Sequence, residues 1–169
     1  NLSGSSNRIH LEKGFLEVNE DLEIKSTAYN SSDKQLTNIK TIQRMPYNGD
    51  IYGSDFEGTY TLIINTIADG QDVYYTTNLF ESLGILEDEY GNYSAKNIDF
   101  STDAKWKRVE VGDSIPSGVT AIASTISSLD TGTSKAYSYQ FIPSGNTYGN
   151  HYSFRTFMTS DNLVSITSS

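Results

Sequence analysis

Apolar and polar residues alternate with a period of two along most of this chain, the pattern of strands that bury one face and wet the other. In "DLEIKSTAY" (21–29) Leu22, Ile24, Ser26 and Ala28 fall on one side, and Glu23, Lys25, Thr27 and Tyr29 on the other. The polar cluster "NSSDKQ" (30–35) predicts a turn, and "LTNIKTIQ" (36–43) a second strand. "TYTLIIN" (59–65) is nearly continuous in apolar residues and predicts a central strand. "ADGQD" (68–72) predicts a turn, "VYYTTN" (73–78) and "VTAIASTI" (119–126) predict strands, and "LDTGTS" (129–134) predicts another turn. "KAYSYQFIP" (135–143) sets Tyr137, Tyr139 and Phe141 on one face. "HYSFRTFM" (151–158) sets Tyr152, Phe154, Thr156 and Met158 against His151, Ser153, Arg155 and Phe157, and "LVSITSS" predicts a short last strand.

Two stretches break the alternation. "RMPYNGDIYGSDFEGTY" (44–60) is dense in turn residues and reads as a connection between strands, because Pro46 cannot donate to a ladder and "YNGD" supplies positions of positive φ. In "LFESLGILEDEY" (79–90) Leu79, Leu83 and Leu86 recur at helical spacing behind Asn78 as N-cap, which predicts a helix of a turn or two stopped by Gly84 and capping one end of the molecule. "EDEYGNYSAKN" (87–97) reads as an acidic loop, and Trp106 leads a run in which Val109 and Val111 alternate. About nine short strands with a turn signal near every tenth residue predict an all-β fold, an immunoglobulin-like antiparallel β-sandwich. A long elaborated loop or short helix around 79–107 accounts for the length beyond the ~100 residues usual for such sandwiches. The domain reading is a linker or leading strand over 1–14 and one sandwich over 15–169.

Composition narrows the function classes. The net charge of −9 argues against nucleic acid and against an anionic membrane surface, and it is compatible with calcium. The absence of cysteine removes disulfides, thiolate zinc sites and cysteine catalysis. No apolar run is long enough for a bilayer, so no membrane insertion is expected. Neither an initiator Met nor a signal peptide opens the sequence, and "NLSGSSN" and "SITSS" read as linker, so the chain is expected to be a segment of a larger protein.

The order of pieces carries a resemblance. "MPYNGD" with its Pro-x-x-Gly-Asp, the "GSDFEG" behind it, "VYYTTN", Trp106, "IPSGVTAI", "LDTGTS" and "IPSGNTYGNHY" follow one another. Together, over about 15–166, they resemble the immunoglobulin-like conserved-repeat domains of large Gram-positive cell-wall-anchored surface adhesins. The resemblance implies an extracellular module that spaces or presents an adhesin on the cell wall, with neighbouring domains of the same chain and a host or cell-surface glycan or protein as partners. It implies no catalytic residues.

The two histidines, His10 and His151, have no triad partner that the sequence can name, and no nucleophile elbow is present. Paired acids (Asp50 with Asp55, Asp69 with Asp72, Glu87 to Glu89, Asp99 with Asp103) fit a glycosidase only if two carboxyls face across a cleft, and solvated turn acids are the simpler reading. Calcium is the better form of the idea, with Asp50, Asp55, Asp69 and Asp72 as ligands, because a hard cation wants several oxygens on a loop. An isopeptide crosslink would join Lys25 on an early strand to Asn162 before the last, with a buried acid to manage protons; Glu23 beside Lys25 equally reads as an exposed charged face. A glycan-binding platform would draw on Trp106, Tyr74, Tyr75, Tyr90 and Tyr93. Of these, Trp106 is expected to point inward, and Tyr90 and Tyr93 in the acidic loop are expected to be exposed. Lys105, Lys107 and Arg108 read as a solvated strand face. The expected function is a non-enzymatic spacer or adhesion module, with a calcium-assisted glycan-binding module as the alternative.

Overall fold

The computed structural model describes residues 6–11, 21–47, 59–144, 155–161 and 163–168. They form thirteen strands: β1 (Ser6–Leu11), β2 (Leu22–Asn30), β3 (Leu36–Arg44), β4 (Thr59–Ile67), β5 (Gln71–Thr76), β6 (Leu86–Glu87), β7 (Tyr93–Ser94), β8 (Lys107–Val109), β9 (Ser114–Ile115), β10 (Ala121–Leu129), β11 (Thr133–Ser144), β12 (Arg155–Ser160) and β13 (Leu163–Ser168). A single 3-10 turn, Phe80–Ser82, is the only helical element among the described residues, and no described helix is long and apolar enough to cross a membrane. Every strand pair is antiparallel. One sheet runs β1-β2-β11-β4-β9, a second runs β13-β12-β3-β10-β5-β8, and β6 pairs only with β7.

The two large sheets pack as a β-sandwich, as the alternation predicts. β2 buries Leu22, Ile24, Ser26 and Ala28 and leaves Glu23, Lys25 and Tyr29 outside. β11 contributes Tyr137, Tyr139 and Phe141 to the same interior, where they meet Tyr60, Leu62 and Ile64 of β4 and Val73 and Ile122 of the facing sheet. β4 is less central than its apolar run suggests: only alternate residues are buried, and Ile63 is half-exposed between β11 and the two-residue β9. The interior is also hydrogen-bonded. Gln43 of β3 donates to the Tyr139 hydroxyl at 2.6 Å and accepts from the Tyr137 hydroxyl at 3.1 Å, so one amide ties β3 to β11 of the opposite sheet at two points. Thr41 and Ser124 bond at 2.6 Å, and Gln71 reaches Ser124 at 3.3 Å.

The connections β2–β3, β4–β5 and β10–β11 each cross from one sheet to the other, and all three gather at one pole with the β12–β13 turn. Asn30, fully buried, holds this arch pole together. Its amide nitrogen donates to the carbonyls of Lys34 and Leu129, both at 2.8 Å, and its oxygen accepts from the Ser32 N–H and hydroxyl. Further ties are Gln35 to Asp130 (2.6 Å), Asn38 to Asp161 (3.2 Å) and the Lys135 ammonium to the Asp69 carbonyl (2.6 Å). Gly70 and Gly132 turn the β4–β5 and β10–β11 arches at φ of 76° and 78°, a region open to glycine.

Residues 77–106 form a third layer over the outer face of the second sheet. Phe80, Leu83, Tyr93, Ala95, Ile98, Phe100 and Trp106 pack on Ile42, Tyr74, Ala121, Ala123 and Phe157 to make a second apolar core. The second sheet is therefore buried on both sides. The predicted helix of a turn or two before Gly84 is reduced to the 3-10 turn Phe80–Ser82: Leu79 and Leu86 are exposed, only Leu83 of the stripe is buried, and Gly84 at φ 77° turns the chain after it. Nor does the segment cap an end of the sandwich; it covers a face. Val111 departs from its predicted alternation and is exposed.

Candidate functional site

A cleft of about 510 Å³ opens beside the arch pole, where the β4–β5 turn meets β8 and the end of β10. Ile67, Val109 and Val111 give it an apolar side, and Asp69, Asp72, Arg108 and Glu110 a charged one. Asp72 and Asp69, two of the four proposed calcium ligands, thus face one space. The Arg108 guanidinium occupies it first, lying 3.1 Å from an Asp72 carboxylate oxygen and 3.3 Å from Glu110. A guanidinium between two acids already supplies the cation that they would otherwise recruit. Among the described residues, no group of three or more His, Asp or Glu side chains converges as a ligand set. Asp50 and Asp55 lie outside the described residues.

The remaining acid pairs hold turns. Asp88 accepts from the backbone N–H of Tyr90 (2.8 Å) and Asn92 (2.9 Å), and from the Asn92 side chain (2.9 Å). Asp99 accepts from the Ser101 N–H (3.1 Å) and hydroxyl (2.6 Å), and Asp103 from the Lys105 N–H at 3.0 Å. These donors favour the charged form and hold all three carboxyls below the usual range, led by Asn92, Ser101 and Lys105 in turn. The sequence expectation of solvated turn acids holds for them.

The aromatic candidates separate sharply. Trp106 is buried as expected, edge-on to Phe100 with centroids 4.7 Å apart, and its indole N–H has no hydrogen-bond partner among the described residues. Tyr74 is buried and stacked on Phe100. Tyr75 is half-buried against the sandwich core. Tyr93, expected to be exposed beside Tyr90, is only 3% exposed: its ring lies between Phe80 (5.0 Å) and Phe157 (4.6 Å), and its hydroxyl accepts from Arg44 at 3.0 Å. The reason is the short pairing of β6 with β7, which turns Tyr93 down onto the second sheet. Tyr90, at the hairpin tip, is 79% exposed.

Alternation along β3 does not reveal how that strand serves this layer. Arg44 and Lys40 both project from β3 under the insertion. The Arg44 guanidinium is 4% exposed, lies 4.2 Å over the Phe80 ring and sits 3.5 Å from Glu81. The Lys40 ammonium donates to the carbonyls of Lys96 and Ile98, and burial lowers its pKa against the opposing pull of Asp99 and Asp161. The one available signal was "VTAIASTI", apolar on both faces, which argues for burial on two sides.

Comparison with known protein families, with curated proteins and with solved structures finds no match. Two candidates remain to be placed. Lys25 lies exposed in the middle of β2, in register with His10 of β1 and Ser138 of β11, while Asn162 lies outside the described residues. Lys107 and Arg108 are exposed on β8, and Lys105 is paired with Asp103 at 3.1 Å.

Proposed function

We propose that the chain is a non-enzymatic spacer and presenting module of an extracellular, cell-wall-anchored bacterial surface protein. The observation that carries this reading is the direction of the outermost strands. β1 sets Ser6 against Tyr29 and Leu11 against Ile24, so it starts at the arch pole and runs away from it. β13 sets Leu163 against Ser160 and Ser168 against Thr156, so it also runs away from that pole. The two lie side by side at adjacent sheet edges. Ser6 is level with the arches, and Ser168, across β12, is level with Gln43, seven residues down β3 from Leu36. At ~3.3 Å per residue the two points are about 20 Å apart along the strand axis. Modules joined through such ends extend in line. Tension along that line loads the β1–β2 and β12–β13 ladders in shear, where several hydrogen bonds must break together. The sequence resemblance to adhesin repeat domains supports the same role.

Single-molecule stretching of a polyprotein tests it. Pulled through its two ends, the domain should unfold at a higher force than when pulled through cysteines placed at Ser31 and Thr131, which sit on neighbouring arches and would peel apart. Equal or lower force along the end-to-end axis would refute the spacer role, and hydrolytic turnover by the purified domain would refute the non-enzymatic one. The alternative, a calcium-assisted glycan-binding module, rests on Tyr90, the one strongly exposed aromatic of its proposed platform. A glycan array in calcium and in chelator decides it.

A further inference from the structure

The β6–β7 hairpin is built to hold one side chain out in water. Its base is fixed by Tyr93, wedged between Phe80 and Phe157 and hydrogen-bonded to Arg44. Its tip is fixed by Asp88, whose backbone N–H donates to the Asn92 carbonyl at 3.0 Å while its carboxylate takes three donors. Gly91, at φ 81°, closes the turn. What this anchored turn displays is Tyr90, 79% exposed, with Leu86 56% exposed on the same hairpin. Glu87 and Glu89 flank the tip, both exposed and neither ion-paired among the described residues. A hairpin that merely connected two parts of the insertion would need neither an exposed tyrosine nor such a firm seat.

We propose that this hairpin tip is a docking element for a protein partner whose surface offers an apolar slot rimmed by Lys or Arg. Tyrosine is among the residues that dominate binding energy, and a tip already rigid loses little entropy on docking. The two free carboxylates complement a basic rim and steer association. Leu86 favours a protein over a glycan, since an aliphatic side chain has no face on which a sugar ring stacks. The proposal stands apart from the spacer role, because the hairpin would dock whether or not the module carries load.

The test is selection of a displayed random peptide library on the intact protein, followed by affinity measurement at two salt concentrations. Enriched peptides should carry an aromatic or aliphatic residue flanked by Lys or Arg. Tyr90→Ala should weaken them roughly tenfold or more. The double variant Glu87→Gln, Glu89→Gln should slow association and flatten the salt dependence. A charge-matched control, Asp21→Asn with Glu110→Gln, should leave binding unchanged. Because Tyr90 is 79% exposed, its removal uncovers little, and the melting temperature of Tyr90→Ala should match that of the parent. No enrichment, peptides indifferent to Tyr90→Ala, or Tyr90-dependent hits on a glycan array with none among peptides would each overturn the proposal.

Discussion

Replacing Asn30 by Ala should destabilise the domain far more than the loss of one small polar side chain suggests. The amide makes four side-chain hydrogen bonds in a fully buried site, to the Lys34 carbonyl, the Leu129 carbonyl, the Ser32 N–H and the Ser32 hydroxyl. At about 1 kcal/mol each, net of solvent, they sum to about 4 kcal/mol. The Ser32 hydroxyl keeps a second acceptor, the Lys34 carbonyl at 3.1 Å, so the expected cost is about 3 kcal/mol. That is a large share of the 5–15 kcal/mol typical of a domain. Equilibrium urea unfolding with an unchanged m-value is the assay. Asn30→Asp sharpens it, being nearly isosteric but without the two donors. A carboxylate there would face the Lys34 and Leu129 carbonyls without water, so its folded-state pKa would be raised above the unfolded ~3.9. A raised group contributes fully below the unfolded pKa and loses that contribution as pH rises through the folded one. Asn30→Asp should therefore compare best with Asn30→Ala below about pH 4 and become the worse variant toward neutrality. A loss under about 1 kcal/mol for Asn30→Ala, or a pH-independent gap between the variants, would refute the idea that one amide pins two arches.

Three further outcomes are expected. Trp106→Phe should lie within about 1 kcal/mol of neutral in thermal melting, because the lost ring volume is offset by removing a buried N–H without a partner among the described residues; a loss above about 3 kcal/mol would mean that the indole nitrogen does make a bond. Burial raises the Tyr137 and Tyr139 hydroxyls above their usual pKa, so their contribution is complete below about pH 10 and lost above it; urea midpoints should fall beyond pH 10 with a slope of up to about 1.4 kcal/mol per pH unit for each, and flat midpoints there would contradict it. Gly70→Ala should cost about 1–2 kcal/mol by chemical denaturation, from strain at φ 76° rather than from the approach of the flexible Lys135 ammonium at 2.9 Å, so adding Lys135→Ala should not restore stability.

The first sheet was legible because its strands bury one face only. β2 alternates in the structure as in the sequence, and Tyr137, Tyr139 and Phe141, read as one face, lie together in the core. Legibility failed where burial is two-sided or where a short segment answers to a distant surface. Leu79, Leu83 and Leu86 keep helical spacing, yet the segment is laid flat on a sheet by Phe80 and Leu83, and this contact outweighs local propensity. Tyr90 and Tyr93 are three residues apart in the same acidic loop and have opposite fates, because one sits at a turn and the other on a two-residue strand. Among the proposed calcium ligands, sequence did bring Asp69 and Asp72 to one cleft; it could not show that Arg108 lies between Asp72 and Glu110.

The burial of the second sheet on both sides bears on how far this molecule can be trimmed. Cutting 79–106 back to a tight loop would leave the two-sheet sandwich formally intact. It would also uncover Ile42, Tyr74, Ala121, Ala123 and Phe157 as one flat apolar surface on a β-sheet, and strand the Arg44 charge against it. Such a surface gathers copies of itself. The minimal autonomous unit is thus the three-layer body, and a shortened version should be recovered from expression as aggregate rather than as a smaller monomer.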